Sequence, residues 1–415
     1  MRAMYIPAAI IMTALIVFSW TSLKASKVTE IKIGNILPLS GPSAKAGIQN
    51  QKACELATEY INNAGGIKSL DGARLENVWT NSRGEASFGV TAAEVLIKTD
   101  KVQIISGAWN SAVTHPTTQK AERAKIPYIV PVSVRDSITE RGFKYTFRIA
   151  AKDSWRSRDQ FRFLADMSEE SDTEVNNLAL VYENGGWGKA MKDQWVKLAK
   201  KNGYKVVLAA PYDSTSEDLT LTAMKVKNAH PDVVLMASFT RDAILLVNAM
   251  AQIKTGVKAI IATGGGHASP AFIRGTGKNC EHVFDVSEWE PDIRRPGIAA
   301  LNAELKKRYN FALSAETVNA FVSVFVIADA LERAESTDPE EIQDALTDTD
   351  LCRGDANPVF DILPYKCIEF DDSGQNKYAR LVIVQFRKVG DKFQRVTVWP
   401  PDVARKDFQP VFPMP

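Results

Sequence analysis

Short runs of β-branched residues alternate with amphipathic helical patterns along this chain, and the alternation limits its fold more than any other feature. Predicted strands such as Glu30 to Leu37, Val102 to Ser106 and Leu178 to Tyr182 are each followed by a segment with helical spacing. Continuous apolar runs of this kind are typical of parallel sheets covered by helices. The pattern therefore predicts an α/β protein with parallel sheets. Two later runs, Lys366–Phe370 and Leu381–Lys388, predict a hairpin.

The N-terminus has the order of features found in a secretory signal peptide. Arg2 gives a positively charged start, an apolar run extends from Tyr5 to Trp20, and the small residue Ala25 follows. The run is shorter than the roughly 20 residues of a comfortable membrane span. We expect residues 1–25 to be removed and the exported mature protein to begin near Ser26. The alternative is an uncleaved N-terminal anchor.

The composition is that of a globular protein with more than one domain. The chain has 415 residues, of which 45% are hydrophobic and 24% are charged. Removal of Arg2 and Lys24 with the signal leaves 49 basic and 49 acidic residues. Nucleic acids and anionic membrane surfaces call for a basic patch, so this near-neutral balance argues against both as partners.

Four cysteines are an even number in a protein expected to enter an oxidising compartment. Cys352 and Cys367 flank a turn-rich stretch at 353–358, which makes them the favoured disulfide pair. Cys54 lies in a helical pattern that suits a buried free thiol. Other pairings, including those with Cys280, remain open from the sequence.

Motifs of catalysis are missing from the sequence. It has no Gly-x-Ser-x-Gly nucleophile elbow, no His-Glu-x-x-His pair and no phosphate-binding loop that ends in Gly-Lys-Ser/Thr. The histidines lack metal-ligand spacing and stand at His115, His230, His267 and His282. We therefore expect a binding protein without catalytic residues, metal or cofactor, and an exported enzyme is the disfavoured alternative.

The loop at 107–112 is the strongest candidate for ligand binding, because parallel sheets bind ligands at the carboxyl ends of their strands. Ser111 stands where a helix extending to Ala124 should have its N-cap. A helix start offers unpaired backbone N–H groups, and a serine hydroxyl adds another donor. These donors suit a carboxylate, although a plain N-cap would explain the same pattern.

Several short segments follow one another in an order found in a known family. They are 31–42 (IKIGNILPLSGP), 61–67 (INNAGGI), 107–116 (GAWNSAVTHP), 126–131 (IPYIVP), Phe147-Arg148-Ile149, 182–188 (YENGGWG), Trp399-Pro400-Pro401 and Phe412-Pro413. As a set they resemble type I periplasmic solute-binding proteins of the Leu/Ile/Val-binding branch. The resemblance covers nearly the whole mature chain.

This resemblance implies two Rossmann-like lobes joined by three crossovers near residues 150, 289 and 370. It divides the chain after the signal into lobe 1 (26–150 and 290–370), lobe 2 (151–289 and 371–398) and a Pro-rich tail (399–415). The protein would be a monomer whose lobes close on a solute. It would deliver the solute to an inner-membrane ABC permease and its ATPase subunits. A ligand-sensing receptor on the same fold is the alternative.

The resemblance also implies a ligand site, carried over residue by residue. The carboxylate-binding serine of the family falls on Ser111, and the carbonyl that receives the ammonium falls near Val132. The aromatic of the second lobe falls on Trp187, and its next wall residue on Phe239.

Two positions depart from the family's pattern. Val134, between Ser133 and Arg135, replaces a residue whose hydroxyl completes carboxylate binding. Gly265 replaces the acid that pairs with the ammonium, and a buried ammonium without a counter-charge is costly. The ammonium would therefore need another site.

An aromatic or amide-bearing acid is the other solute that these departures suggest. Trp109, Trp155 and Trp187 could stack on such a solute, with Arg135 or Arg156 pairing its carboxylate.

Overall fold

A computed structural model describes residues 28–41, 43–293, 295–352, 354 and 358–415, so the predicted signal peptide lies outside the described residues. The first sheet is wholly parallel. Its strands lie in the order β2-β1-β3-β4-β5 and are β1 (Glu30–Leu37), β2 (Arg74–Asn81), β3 (Ile104–Gly107), β4 (Tyr128–Val130) and β5 (Thr146–Arg148).

The second sheet has seven strands and an antiparallel edge. Its order is β14-β13-β10-β9-β8-β6-β7, and the strands are β6 (Asn177–Glu183), β7 (Lys205–Tyr212), β8 (Val233–Ala237), β9 (Ala259–Ala262), β10 (Phe284–Ser287), β13 (Val382–Val389) and β14 (Lys392–Trp399). The pairs from β10 through β9, β8 and β6 to β7 are parallel. The predicted α/β class with parallel sheets is confirmed.

Two groups of helices cover the sheets. The group that packs with the first sheet is α1 (Ala44–Asn63), α2 (Ala86–Val95), α3 (Ser111–Ala124), α9 (Ile298–Tyr309), α10 (Ala315–Ala334) and α11 (Pro339–Thr347). The group that packs with the second sheet is α4 (Asp153–Glu170), α5 (Gly186–Lys201), α6 (Thr220–Ala229), α7 (Thr240–Ile253) and α8 (Pro270–Thr276). No described helix is both long and apolar enough to cross a membrane.

The chain passes between the two sheets three times. It leaves the first sheet after Arg148, returns to it through the helices that follow Ser287, and enters the second sheet again at Val382. Gln375 ties the first passage to the third: its side-chain amide donates to the Ala150 carbonyl at 2.9 Å and accepts from Arg148 Nε at 2.6 Å. The exact lobe boundaries remain a prediction.

The predicted hairpin is wrong. Strand β12 (Cys367–Glu369) pairs with β11 (Asp350–Cys352), whereas β13 pairs with β14. Strands β11 and β12 form a separate two-stranded sheet, and the residues after β12 lead the chain into the second sheet, so the two runs that look adjacent in sequence belong to different sheets. A disulfide joins Cys352 to Cys367, the pair favoured from the sequence, and Cys54 and Cys280 are buried free thiols.

The C-terminal tail forms turns between residues 401 and 407 and then runs along the second sheet without regular secondary structure. The Val411 N–H donates to Gln385 Oε1 at 3.0 Å, and the Met414 N–H donates to the Lys258 carbonyl at 2.7 Å. Trp399, the first residue of the predicted tail, still belongs to β14.

Candidate ligand-binding site

A cavity of about 760 Å³ lies between the two sheets, at the carboxyl ends of their strands. Its wall is formed by the segments that follow β3, β4, β6 and β9, by the end of β10, and by the starts of α4 and α10. This is the position at which open parallel sheets bind ligands. The structure brings eight predicted site residues together in this wall: Trp109, Ser111, Val132, Ser133, Val134, Arg156, Trp187 and Gly265.

Two predicted residues, Phe239 and Arg135, are not among the described residues of the wall. The Phe239 side chain is 50% exposed, and its ring centroid lies 5.5 Å from that of Trp187. Arg135 reaches the site through its backbone, since its N–H donates to Ser111 Oγ at 3.3 Å. Trp155 also lies outside this wall and packs under the Arg158 guanidinium.

Ser111 is not the N-cap of α3, contrary to the sequence prediction. The N-cap is Asn110, and Ser111 is the first helical residue. Its hydroxyl oxygen accepts from Arg135, which leaves the hydroxyl proton available as a donor. Among the described residues, the backbone N–H groups of Ser111 and Ala112 have no acceptor, as expected for a first helical turn. Both residues line the cavity.

Trp109 is fixed by two hydrogen bonds. The Ser133 hydroxyl donates to the Trp109 carbonyl at 2.9 Å, and the Trp109 indole Nε1 donates to Glu316 Oε2 at 2.9 Å. The Ser133 hydroxyl also lies 2.5 Å from Thr114 Oγ1. Because Ser133 is engaged on both sides and buried, its hydroxyl orients the loop.

The turn before α5 places Trp187 in the opposite wall. The Glu183 carboxylate accepts from the backbone N–H groups of Gly185 at 2.5 Å and Gly188 at 2.6 Å, which closes this turn. A Cβ atom on Gly265 would lie 2.8 Å from the far edge of the Trp187 indole, and Gly265 has φ +59°. The indole therefore fills space that a side chain at position 265 would need.

Two acids in the wall, Glu288 and Glu316, were missed by the sequence reasoning. Glu288 directly follows β10, a strand that the hydrophobic pattern did not reveal. Glu316 stands in the first turn of α10, which begins at a capping interaction between Ser314 and Thr317. An acid in the first turn of a helix was the only available signal, and it is equally typical of any helix start.

Arg156 binds the acids around the passage between the sheets. Its guanidinium lies 2.5 Å from Glu288 and 3.4 Å from Asp153. Burial raises the pKa of Glu288 to about 7, and the guanidinium of Arg156 opposes this rise. Burial also raises the pKa of Asp153 and that of Glu316, and the Trp109 hydrogen bond opposes the rise at Glu316.

Among the residues that the structure describes, no cluster of metal-ligand side chains lies in this cavity wall. Within the described residues, the cluster that has suitable atoms is Asp350, Cys352 and Cys367, and its two sulfur atoms are joined in the disulfide.

The fold and this cavity agree with a comparison against known families. A sequence model of the family described as periplasmic binding protein matches residues 30–364. The chain belongs to this family. Members of the family are solute-binding proteins of transporters, not enzymes, and the resemblance identified from the sequence is confirmed. Membership of this family implies a small-molecule ligand and a transporter partner.

One sequence relative is named for the binding of Leu, Ile and Val. Leu/Ile/Val-binding protein homolog 7 of Brucella suis biovar 1 (strain 1330) is 25% identical over 390 residues, which cover 90% of this chain and 92% of the relative.

Two solved structures share the fold of this periplasmic binding protein. One is an ABC transporter substrate-binding protein from Desulfitobacterium hafniense in complex with Leu (TM-score 0.70, 19% identity, 88% of this chain and 100% of that one). The other is a solute-binding protein from Rhodopseudomonas palustris BisB5 in complex with 3,4-dihydroxybenzoic acid (TM-score 0.69, 17% identity, 91% and 98%).

Proposed function

We propose that this chain is the solute-binding component of an amino-acid import system of the branched-chain type. In this proposal residues 1–25 direct it to the periplasm, where it captures a small carboxylate-bearing solute between its two lobes. It then delivers the solute to an inner-membrane ABC permease and its ATPase subunits. Membership of the family, together with relatives named for Leu/Ile/Val binding, supports this function.

The observation that carries the proposal is the start of α3 in the cavity wall. The free N–H groups of Ser111 and Ala112 and the hydroxyl proton of Ser111 converge on the cavity. They form a cluster of donors at the positive end of a helix, and such clusters bind carboxylates. The neighbouring Val134 adds no donor from its side chain, so the Ser111 hydroxyl contributes a large share of the hydrogen bonding.

Closure of the two lobes would bury the solute. The cavity lies between the sheets, and the three passages of the chain near 150, 289 and 370 would act as the hinge. Lobe 1 would then comprise 26–150 and 290–370, and lobe 2 would comprise 151–289 and 371–398.

An aromatic acid is the second candidate solute, and the indoles of Trp109 and Trp187 favour it. The two rings belong to segments after β3 and β6, one from each sheet, and both line the cavity. Flat apolar surfaces on two walls suit an aromatic ring. The Rhodopseudomonas palustris protein with 3,4-dihydroxybenzoic acid is a precedent on this fold.

Thermal unfolding of the mature protein in the presence of leucine, isoleucine, phenylalanine or 3,4-dihydroxybenzoate tests the proposal. A ligand at about 100 times its Kd stabilises the native state by about 2.7 kcal/mol. A shift with the aliphatic amino acids would support the branched-chain type, and a shift with dihydroxybenzoate alone would support the aromatic type. No shift with any of them would contradict the proposal.

Replacement of Ser111 by Ala tests the carboxylate site. Loss of the buried hydroxyl donor should weaken binding of a carboxylate solute by about 1–3 kcal/mol, measured by calorimetry. Ser87→Ala is the matched control, because Ser87 is an exposed serine in the first turn of α2 and lies outside the described cavity wall. Equal affinity for the wild type and the Ser111 variant would show that the carboxylate binds elsewhere.

A further inference from the structure

Glu316 lines the cavity without a cationic partner among the described residues. Its carboxylate is held by the indole Nε1 of Trp109, at 2.9 Å, and no ion pair to it occurs in the described part of the chain. The carboxylate therefore brings a negative charge to the cavity wall that no salt bridge within the described residues compensates, and Arg156, which lies farther away and contacts Glu288 and Asp153, compensates it only in part.

The other charged groups of the wall already satisfy one another. The Arg156 guanidinium contacts both Glu288, at 2.5 Å, and Asp153, at 3.4 Å. An anionic group of a solute would have to compete with two carboxylates for this guanidinium. A cationic group would instead find Glu316 with its charge unpaired.

Burial makes this unpaired charge costly. Burial raises the pKa of the Glu316 carboxyl group, although the hydrogen bond from Trp109 and the positive charge of Arg156 favour the carboxylate. A carboxylate in a poorly solvated site is destabilised until a cation or further donors compensate it. Binding a cation between the lobes would remove this penalty.

The surroundings of Glu316 suit an organic cation. The faces of indole rings attract ammonium groups, and both Trp109 and Trp187 line the same cavity. Position 265 offers no acidic side chain to a cation, because it is a glycine and the Trp187 indole occupies the adjacent space. A positive group in this cavity therefore meets an acid on the wall formed by α10.

We propose that Glu316, in the cavity that the indoles of Trp109 and Trp187 also line, binds a protonated amine of the solute. The inference rests on the proposed function, because it assigns a second chemical group of the same captured solute. Ser111 and the start of α3 would hold the carboxylate of that solute, and Glu316 would recognise its amine.

Four probes separate the amine from the rest of the solute. Leucine carries its amine beside the carboxylate. Its isomer 6-aminohexanoate carries the amine at the far end of the chain. The corresponding acids without an amine are 4-methylpentanoate and hexanoate. Calorimetric titrations of the wild type, Glu316→Gln and Glu335→Gln give the preference for each amine over its matched acid.

Glu335→Gln is the control, because it makes the same chemical change at an exposed residue beyond the other end of α10. The amide oxygen that Glu316→Gln introduces can still accept the hydrogen bond from Trp109. Thermal unfolding without ligand shows whether the Glu316 variant is folded and how far its helix start is weakened.

We expect the wild type to bind leucine or 6-aminohexanoate at least about tenfold more tightly than the matched acid. In Glu316→Gln this preference should fall about tenfold or more, while affinity for the matched acid stays within about twofold. The Glu335 variant should keep the preference. The isomer that shows the effect identifies the position of the amine.

Four results would overturn the inference, and the first three leave solute capture intact. If the matched acids bind the wild type as tightly as the amines, or if Glu316→Gln keeps the preference, the amine site is wrong and solute capture stands. If only 3,4-dihydroxybenzoate binds, the amine site is again wrong. If neither the four probes nor the ligands of the unfolding screen bind, both proposals fail.

Discussion

Replacement of Glu288 by Gln is expected to change how the stability of the protein depends on pH. Burial raises the pKa of this carboxyl group from 4.5 to about 7 in the folded protein, with Arg156 opposing the rise and the nearby acids Glu316 and Asp153 adding to it. The folded state therefore holds the Glu288 proton more tightly than the unfolded state does. The contribution of Glu288 to the free energy of unfolding is therefore fully present below pH 4.5, where the group is protonated in both states. It is lost as the pH rises through about 7, where the group ionises in the folded protein.

The size of the effect follows from the two pKa values. Each pH unit between them is worth about 1.4 kcal/mol, so the ionised Glu288 lowers the free energy of unfolding by about 3 kcal/mol relative to its protonated form. Gln resembles the protonated acid and can still accept from Arg156. Glu288→Gln should thus be more stable than the wild type by up to about 3 kcal/mol at about pH 8, and equally stable at about pH 4.

Urea unfolding of both proteins at several pH values gives this difference directly. Taking the difference cancels the titration of other groups, provided that they respond equally in both proteins. Glu335→Gln, at an exposed position, should follow the wild type at every pH. If the wild type and Glu288→Gln lose stability in parallel between about pH 5 and pH 8, the buried carboxylate is fully compensated by Arg156 and the reasoning is refuted.

Two further predictions concern the cavity wall and a buried thiol. Trp187→Ala should weaken solute binding by about 2 kcal/mol with an unchanged circular dichroism spectrum, whereas Phe239→Ala, outside the described wall, should keep the affinity. Because burial raises the pKa of Cys54 to about 12, iodoacetamide at about pH 8 should alkylate it only after unfolding, as mass spectrometry would show. Equal losses from both aromatic variants, or rapid labelling of native Cys54, would contradict these expectations.

Local patterns predicted the elements of this fold well where hydrophobic periodicity was strong. Strand Glu30–Leu37 has the predicted bounds, since its apolar residues give way directly to a turn. Helix α3 ends at Ala124 as predicted, and only its N-cap, Asn110 in place of Ser111, differs. The hairpin failed because strand pairing is not a local property: β12 pairs with a strand before it and β13 with one after it. No pattern in the two runs distinguishes these partners.

The site was only partly predictable for the same physical reason. Ser111 and Trp187 follow strands and lie in segments that resemble the family, so their place in the wall could be inferred. Glu288 and Glu316 meet there only through tertiary packing, and they lie 28 positions apart on different elements. Likewise, the Trp187 indole leaves no room for a side chain at position 265. This contact joins two distant segments, so neither segment alone could have predicted it.

The two indoles on opposite walls should make the intrinsic tryptophan fluorescence of the protein sensitive to solute binding. Trp109 follows a strand of the first sheet and Trp187 a strand of the second, and each is only partly exposed. A solute that displaces water from both rings should shift tryptophan emission to shorter wavelength and shield the rings from a soluble quencher such as iodide. Solute capture by the unlabelled protein could then be followed in a stopped-flow instrument as it happens.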